Sequence, residues 1–162
     1  MNEVIPVLHN VFSVEVVRQF AKLCYGLGFK TFVVSKPSGA AAQAGVPEAQ
    51  KIALKKNKVF VVLSGIEDVI ELFKPSLIVL ITPKKHAKEE FNAKRIVDEA
   101  KSGCVVIVFG GSEPGLSARE MEMGIPMHVG IEDDIGPLGF ASIVLHTISY
   151  TIKKEARSGD VA

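Results

Sequence analysis

Apolar positions along this chain fall into two alternating textures. Short, β-branched and nearly continuous runs recur at VIPVLH (4–9), TFVVS (31–35), KVFVVL (58–63), SLIVLI (76–81) and CVVIVF (104–109). Runs of that length without polar alternation suit strands covered on both faces of a parallel sheet. Between them the apolar positions take helical spacing. Residues 13–27 place Val17, Phe20, Cys24 and Leu27 on one stripe, with Ala21 and Leu23 beside it and Gly28 as the stop. Further helices are predicted over 47–56, where Pro47 takes a favoured first-turn position, and over 65–73 and 87–101. A short strand at 126–130 and a last helix over about 138–156 complete the order. Strand and helix alternate without a Pro/Ser-rich linker or a fixed-period repeat. This predicts one α/β domain over 1–156, a mostly parallel sheet flanked by helices, with 157–162 as a flexible tail.

In such a sheet, ligands collect beyond the carboxyl ends of the strands. The turn-forming and polar residues concentrate there: His9 and Asn10, Ser35 to Gly39, Ser64-Gly65, Thr82-Pro83, and GGSEPG at 110–115. Glycine, serine and proline mark any turn, so this rim says where to look and not what binds.

Composition narrows the class. With 162 residues, 48% apolar and 23% charged, the chain is long enough for a sizeable core and far from the composition of disorder. No apolar run approaches the roughly 18 residues of a membrane span. The start MNEVIPVLHN lacks the basic leader and apolar segment of an export signal. Cys24 and Cys104 have neither a metal spacing nor a disulfide framework. A reduced, cytoplasmic setting is predicted. A net charge of +1 does not announce a nucleic-acid binder, although it leaves room for a local basic patch.

Common chemistries fail early. There is no G-x-x-x-x-G-K-[ST] loop and no G-x-G-x-x-G after the first strand; YGLGFK reads as a helix cap and turn. A metal-dependent nuclease needs clustered carboxylates. Glu67-Asp68 and Glu89-Glu90 fall in helical stretches, where a solvated face is the simpler explanation, and Glu132 to Asp134 form the remaining acidic run. His9, His86, His128 and His146 have no zinc-ligand spacing, so no metal is expected.

The last third carries a specific resemblance. VVIVFGGSEPGLS, then GIPMHVG, then DDIGPLGFASIVLHTI stand in the order and spacing of the carboxy-terminal motifs of the SPOUT superfamily. The chain resembles in particular its SpoU-type RNA 2′-O-ribose methyltransferases. Gly111, Glu113 and GLS (115–117) match the first motif, with Gly110 beside them, and Ile125-Pro126-Met127 match the second. Nearer the start, HNVFSVEVVR sets Arg18 nine residues after His9, where the family has an arginine after its first Asn. Nearly the whole chain is covered. The resemblance implies a sheet whose C-terminal part makes a deep trefoil knot, a homodimer, and S-adenosylmethionine as cofactor. It implies a pocket from Leu80, Ile81, Thr82, Gly110, Gly111, Glu113, Ile125, Met127, Ile135 and Leu138. Glu113 has two readings, a brace that accepts backbone N–H bonds or a group beside the substrate, of which the first is favoured. Arg18 becomes the catalytic candidate, acting on a ribose hydroxyl or a phosphate.

The chain departs from the family at three positions. The opening Asn is His9, and Gly136 and Leu138 stand where Asn and Ser belong. His9, Asp133 and Asp134 are the available substitutes for proton removal. Basic runs for RNA are Lys51, Lys55, Lys56 and Lys58, then Lys84, Lys85, Lys88, Lys94 and Arg95, then Lys153, Lys154 and Arg157. Exposed helix lysines are usually solvated surface; the second run starts on the ligand-side rim and has the best claim. The expectation is an S-adenosylmethionine-dependent RNA methyltransferase acting on a ribose 2′-hydroxyl of tRNA or rRNA. The alternative is a non-catalytic protein that holds cofactor or RNA on the same fold.

Overall fold

The computed structural model describes residues 3–112 and 115–161, for the last two of these the backbone alone. The strands are β1 (Glu3–Val11), β2 (Thr31–Pro37), β3 (Val59–Leu63), β4 (Leu77–Ile81), β5 (Glu89–Glu90), β6 (Cys104–Gly110) and β7 (Ile125–His128). They form one sheet in the order β3-β2-β1-β6-β4-β7-β5, and every neighbouring pair is parallel. The helices are α1 (Val14–Gly26), α2 (Val46–Lys55), α3 (Ile66–Phe73), α4 (Ala93–Ala100), α5 (Ala118–Met121) and α6 (Gly136–Val161). The expected class, a parallel α/β sheet flanked by helices, is the observed one.

The alternation of side chains along each strand divides the core into two layers. Leu8, Val34, Phe32, Val79, Ile107 and Phe109 face α1, α2, α4 and α6. Val7, Val33, Leu80, Val106 and Val108 face α3 and the segment around Met121 and Met123. Phe20 of α1 anchors the first layer, stacked on Phe32 at 5.7 Å and edge-on to Phe109 at 5.5 Å. Each fully buried ring of this kind contributes roughly 1.5–3 kcal/mol by leaving water.

Several predicted elements change on folding. KVFVVL read as a strand buried on both faces, yet β3 is an edge strand with Val59 and Val62 exposed. The helix predicted over 87–101 is divided: Glu89 and Glu90 pair with Met127 and His128, and α4 begins only after Asn92, whose side chain accepts from the Arg95 N–H. α5 carries no apolar period, and Ser117 with Glu120 caps it reciprocally. α6 runs on through residues 157–161, expected as a tail.

Candidate functional site

The turn after β6 is built against the end of β1. Gly111 donates its N–H to the His9 carbonyl at 2.7 Å, and the Ser112 hydroxyl donates to the Asn10 carbonyl at 2.7 Å. Side chains have no room there. A Cβ on Gly111 would lie 2.8 Å from Cβ of Val11, and one on Gly110 would lie 3.1 Å from Cα of Gly115. Asn10 takes the left-handed conformation at φ 60°, which asparagine tolerates better than most residues. Glu113 lies outside the described residues.

His9, only 2% exposed, sits beneath this turn. Its Nδ1 is 2.7 Å from the Ser35 hydroxyl at the end of β2, and its Nε2 contacts the Glu120 carboxylate of α5. Burial holds the His9 ring below its ordinary pKa, outweighing the attraction of Glu120. Burial alone would raise the Glu120 carboxyl. The Ser117 N–H and the His9 ring outweigh that and hold it below the usual range. Both directions describe one arrangement: neutral His9 donates from Nε2 to an ionised Glu120 and accepts at Nδ1 from Ser35. The trio joins β1, β2 and α5 in one chain of hydrogen bonds.

Beside it opens a cleft of about 450 Å³. Ile81 and Thr82 come from the end of β4, Phe109 and Gly110 from β6, Leu116 and Met121 from the following segment, and Pro137 and Phe140 from the start of α6. Lys85, His86 and Asp134 supply its charged and titratable groups. The Lys84 N–H donates to the Ile131 carbonyl at 2.8 Å, which holds the short helical turn Lys84–His86 at the cleft. Asp134 Oδ1 accepts from the Gly136 N–H at 2.8 Å, so the turn into α6 is fixed as well.

Of the residues expected in a pocket, Ile81, Thr82 and Gly110 line this cleft. Leu80 and Met127 are buried in the two core layers, Ile125 and Leu138 pack against one of them, and Ile135 is exposed. Gly111 meets β1 instead. Arg18 projects from α1 to pair with Glu15, 2.5 Å away, and does not line the cleft. Lys85, His86, Phe109, Leu116 and Phe140 were missing from the expected pocket. Two of these had a signal, Lys85 in a basic run on the rim and Leu116 in the GLS motif; Lys94 and Arg95 of that run are engaged by Asp98, Glu155 and Glu89. Among the described residues, no three His, Cys, Asp or Glu side chains converge as a metal site. No helix of the described residues is long and apolar enough to cross a membrane.

Solved structures share this architecture. A probable methyltransferase from Bordetella pertussis Tohama I aligns with a TM-score of 0.70 at 17% identity, over 93% of this chain and 96% of that one. The SpoU methyltransferase AviRb from Streptomyces viridochromogenes aligns with a TM-score of 0.71 at 12% identity, over 95% of this chain and 61% of that one. Identities so low establish fold alone. Relatives in sequence carry other names. "Putative type II restriction enzyme ApeKORF2002P" of Aeropyrum pernix is 42% identical over 149 residues, covering 89% of this chain and 91% of that protein. The correspondingly named MjaORF1200P of Methanocaldococcus jannaschii is 30% identical over 152 residues, covering 94% of this chain and all of that protein. A family model described as RecB-family nuclease (DUF2122) matches residues 39–147.

These matches correct the functional expectation. Assignment to the SpoU-type methyltransferases, methyl transfer to RNA and S-adenosylmethionine as cofactor are all overturned by the sequence family and its relatives. The reason is physical: Gly-rich turns and an Ile-Pro-Met strand report how a chain packs at a strand rim, while the reaction resides in side chains that fold likeness does not carry. AviRb is known in complex with AdoMet, but at 11% identity that likeness brings no ligand to this chain. By the extent of these matches, the chain belongs to the family described as RecB-family nuclease (DUF2122).

Proposed function

We propose that this protein acts on nucleic acid, taking one nucleotide into the cleft at the ends of β4 and β6 and cleaving the adjoining phosphodiester. The composition of the cleft carries this reading. Ile81, Phe109, Leu116 and Phe140 offer apolar walls to a base, and Lys85 with His86 offers positive charge and N–H donors to a phosphate. Support for cleavage comes from the family description and from the names of the two relatives. RNA, the partner expected from sequence, and DNA, the substrate implied by a restriction enzyme's name, both fit such a cleft.

Hydrolysis requires water to attack phosphorus while the bond to the leaving oxygen breaks; one proton leaves the water and another reaches the departing oxygen. In this reading Asp134 accepts the first, His86 supplies the second, and Lys85 offsets charge on the phosphoryl oxygens. Nucleases of this class would draw on a divalent metal to activate water and neutralise charge. The described residues do not fit one: Asp134 and His86 are the only two such groups lining the cleft, and Glu120 is committed to His9 and Ser117.

A homodimer is part of the proposal, supported by exposed apolar side chains such as Phe12, at 53%, and Ile135. The proposal includes the knotted path implied by the resemblance, supported by the architecture shared with the SpoU methyltransferase AviRb.

The test is incubation of the purified protein with end-labelled single-stranded RNA, single-stranded DNA and duplex DNA, in Mg²⁺, in Mn²⁺ and in EDTA. Shortened products are expected from at least one substrate, with a loss of about 100-fold in rate for His86→Ala, the size of a general acid's contribution. Binding without cleavage would keep the cleft's ligand and discard the reaction. Intact substrates without measurable binding would sink the reading.

A further inference from the structure

Packing leaves a second chemical feature on α6. Val144, Leu145 and Ile148 are buried against the sheet, and the opposite side exposes His146, Tyr150, Lys153, Lys154 and Arg157 at spacings of three and four. Residues so spaced share one helix face. The Tyr150 ring is 58% exposed and stacks on His146, with centroids 6.3 Å apart and planes 24° from parallel. Tyr150, Lys153, Lys154, Arg157 and Ser158 line a shallow depression of about 480 Å³ that has no acidic residue in its walls.

The charges on this helix are sorted. Glu155 lies between these bases in sequence, yet its carboxylate is turned to Lys94 and Lys101, at 3.0 and 3.1 Å. Among the described residues, Lys153, Lys154 and Arg157 enter no ion pair. An ordinary solvated face intersperses both signs. Among the described residues, three cations here stand unopposed beside an exposed aromatic ring, the combination that holds a nucleic-acid strand by phosphate charge and base stacking.

We propose that this stripe is a second contact for the strand whose nucleotide enters the cleft: phosphates lie along Lys153, Lys154 and Arg157, and a base stacks on Tyr150. The proposal rests on the nucleic-acid reading of the cleft. The two contacts share one helix, because Pro137 and Phe140 of α6 line the cleft. At ~1.5 Å rise per residue, Tyr150 lies about 15 Å and Arg157 about 25 Å along the axis from Phe140. The stripe faces away from the buried side that carries Phe140, so these are minimum paths, and at one phosphate per ~3.4 Å of a stacked strand the contacts are separated by at least about four to eight nucleotides. The stripe therefore reads length: short oligonucleotides reach the cleft alone, longer ones reach both.

Fluorescence anisotropy of the full chain with 5′-fluorescein single strands of about 4 and about 16 nucleotides tests this across a salt series. For the long strand, the triple variant K153E/K154E/R157E is expected to lose at least about tenfold in affinity. Its log K against log salt should flatten by roughly two, from ~0.7 per lost phosphate contact. Tyr150→Ala should weaken the long strand by about fivefold or more, the low end for one stacked base. Binding of the short strand should not change, while Leu116→Trp, which fills the cleft, should abolish it. Equal affinity and slope in wild type and triple variant, with Leu116→Trp still abolishing binding, would end the stripe and leave the cleft reading intact. Sedimentation showing that the triple variant loses a dimer while nucleic-acid binding is unchanged would give the stripe to a second copy and overturn the proposal. A wild-type chain that binds neither strand would overturn both readings.

Discussion

His9 illustrates how much one buried polar side chain is asked to do. It closes the end of β1, ties in β2 through Ser35 and holds α5 through Glu120. Burial disfavours the charged imidazole at this position more than Glu120 favours it, so protonation opposes folding. Its pKa is lowered by burial, so the folded protein binds fewer protons than the unfolded chain once pH falls below the ordinary histidine value of about 6.5. The stabilisation is present above that pH and declines as pH falls toward the lowered value. Glu120 is also held below its ordinary range, so its share is lost only under stronger acid, below about 4.5. The thermal midpoint should fall between about pH 7 and pH 5 in wild type, and His9→Gln should show a flatter pH dependence from a lower plateau. A wild-type midpoint constant over that interval would contradict the assignment. His9 was legible in sequence as a rim residue. Glu120 was not, because its helix has a single turn without apolar period and lies far along the chain.

At the scale of the element, local signals were truest where apolar residues and caps agreed. α1 begins after Ser13, whose hydroxyl accepts from the Val16 N–H at 3.2 Å, and its buried residues Val17, Phe20 and Cys24 are those of the predicted stripe. The segment 87–101 shows the opposite case. Its residues could continue a helix, but β7 offers Glu89 and Glu90 backbone partners, and tertiary pairing overrides weak propensity. Asn92 then becomes the start of α4, accepting from Arg95 at 3.1 Å. Asn92→Ala should cost about 1 kcal/mol, which at this chain length lowers the thermal midpoint by roughly 2–4 °C in a calorimetric scan. The exposure of β3 was hidden for another reason. A run such as KVFVVL has the same composition at an edge as at the centre, and neighbour order is not a local property.

For the molecule as a whole, the class of fold was legible and the chemistry was not. Continuous Val/Ile strands separated by amphipathic helices leave few architectures besides a parallel sheet with helices on both faces. That inference needs only periodicity. The cleft needs more, since Ile81, Phe109, Leu116 and Phe140 come from four separate segments and meet only after the sheet has formed. Motif likeness at the GGSEPGLS turn pointed to the rim where the cleft opens but suggested a reaction that the sequence relatives contradict.

Strand order has a consequence for how the chain is made. β1 and β4 do not touch; β6 lies between them and pairs with both. Until Cys104 and its successors arrive, the sheet exists as two pieces, each with an exposed hydrogen-bonding edge. A fragment ending at residue 103 should therefore show no cooperative thermal unfolding by circular dichroism, although it contains both of those strands and α1 to α4. A sharp transition in that fragment would show that the halves fold without their central strand. At ~5–20 residues per second, a ribosome leaves β1 waiting on the order of 5–20 s for its second neighbour. For that interval the strand that carries His9 is an open edge, the kind of surface on which chaperones act and nascent chains aggregate.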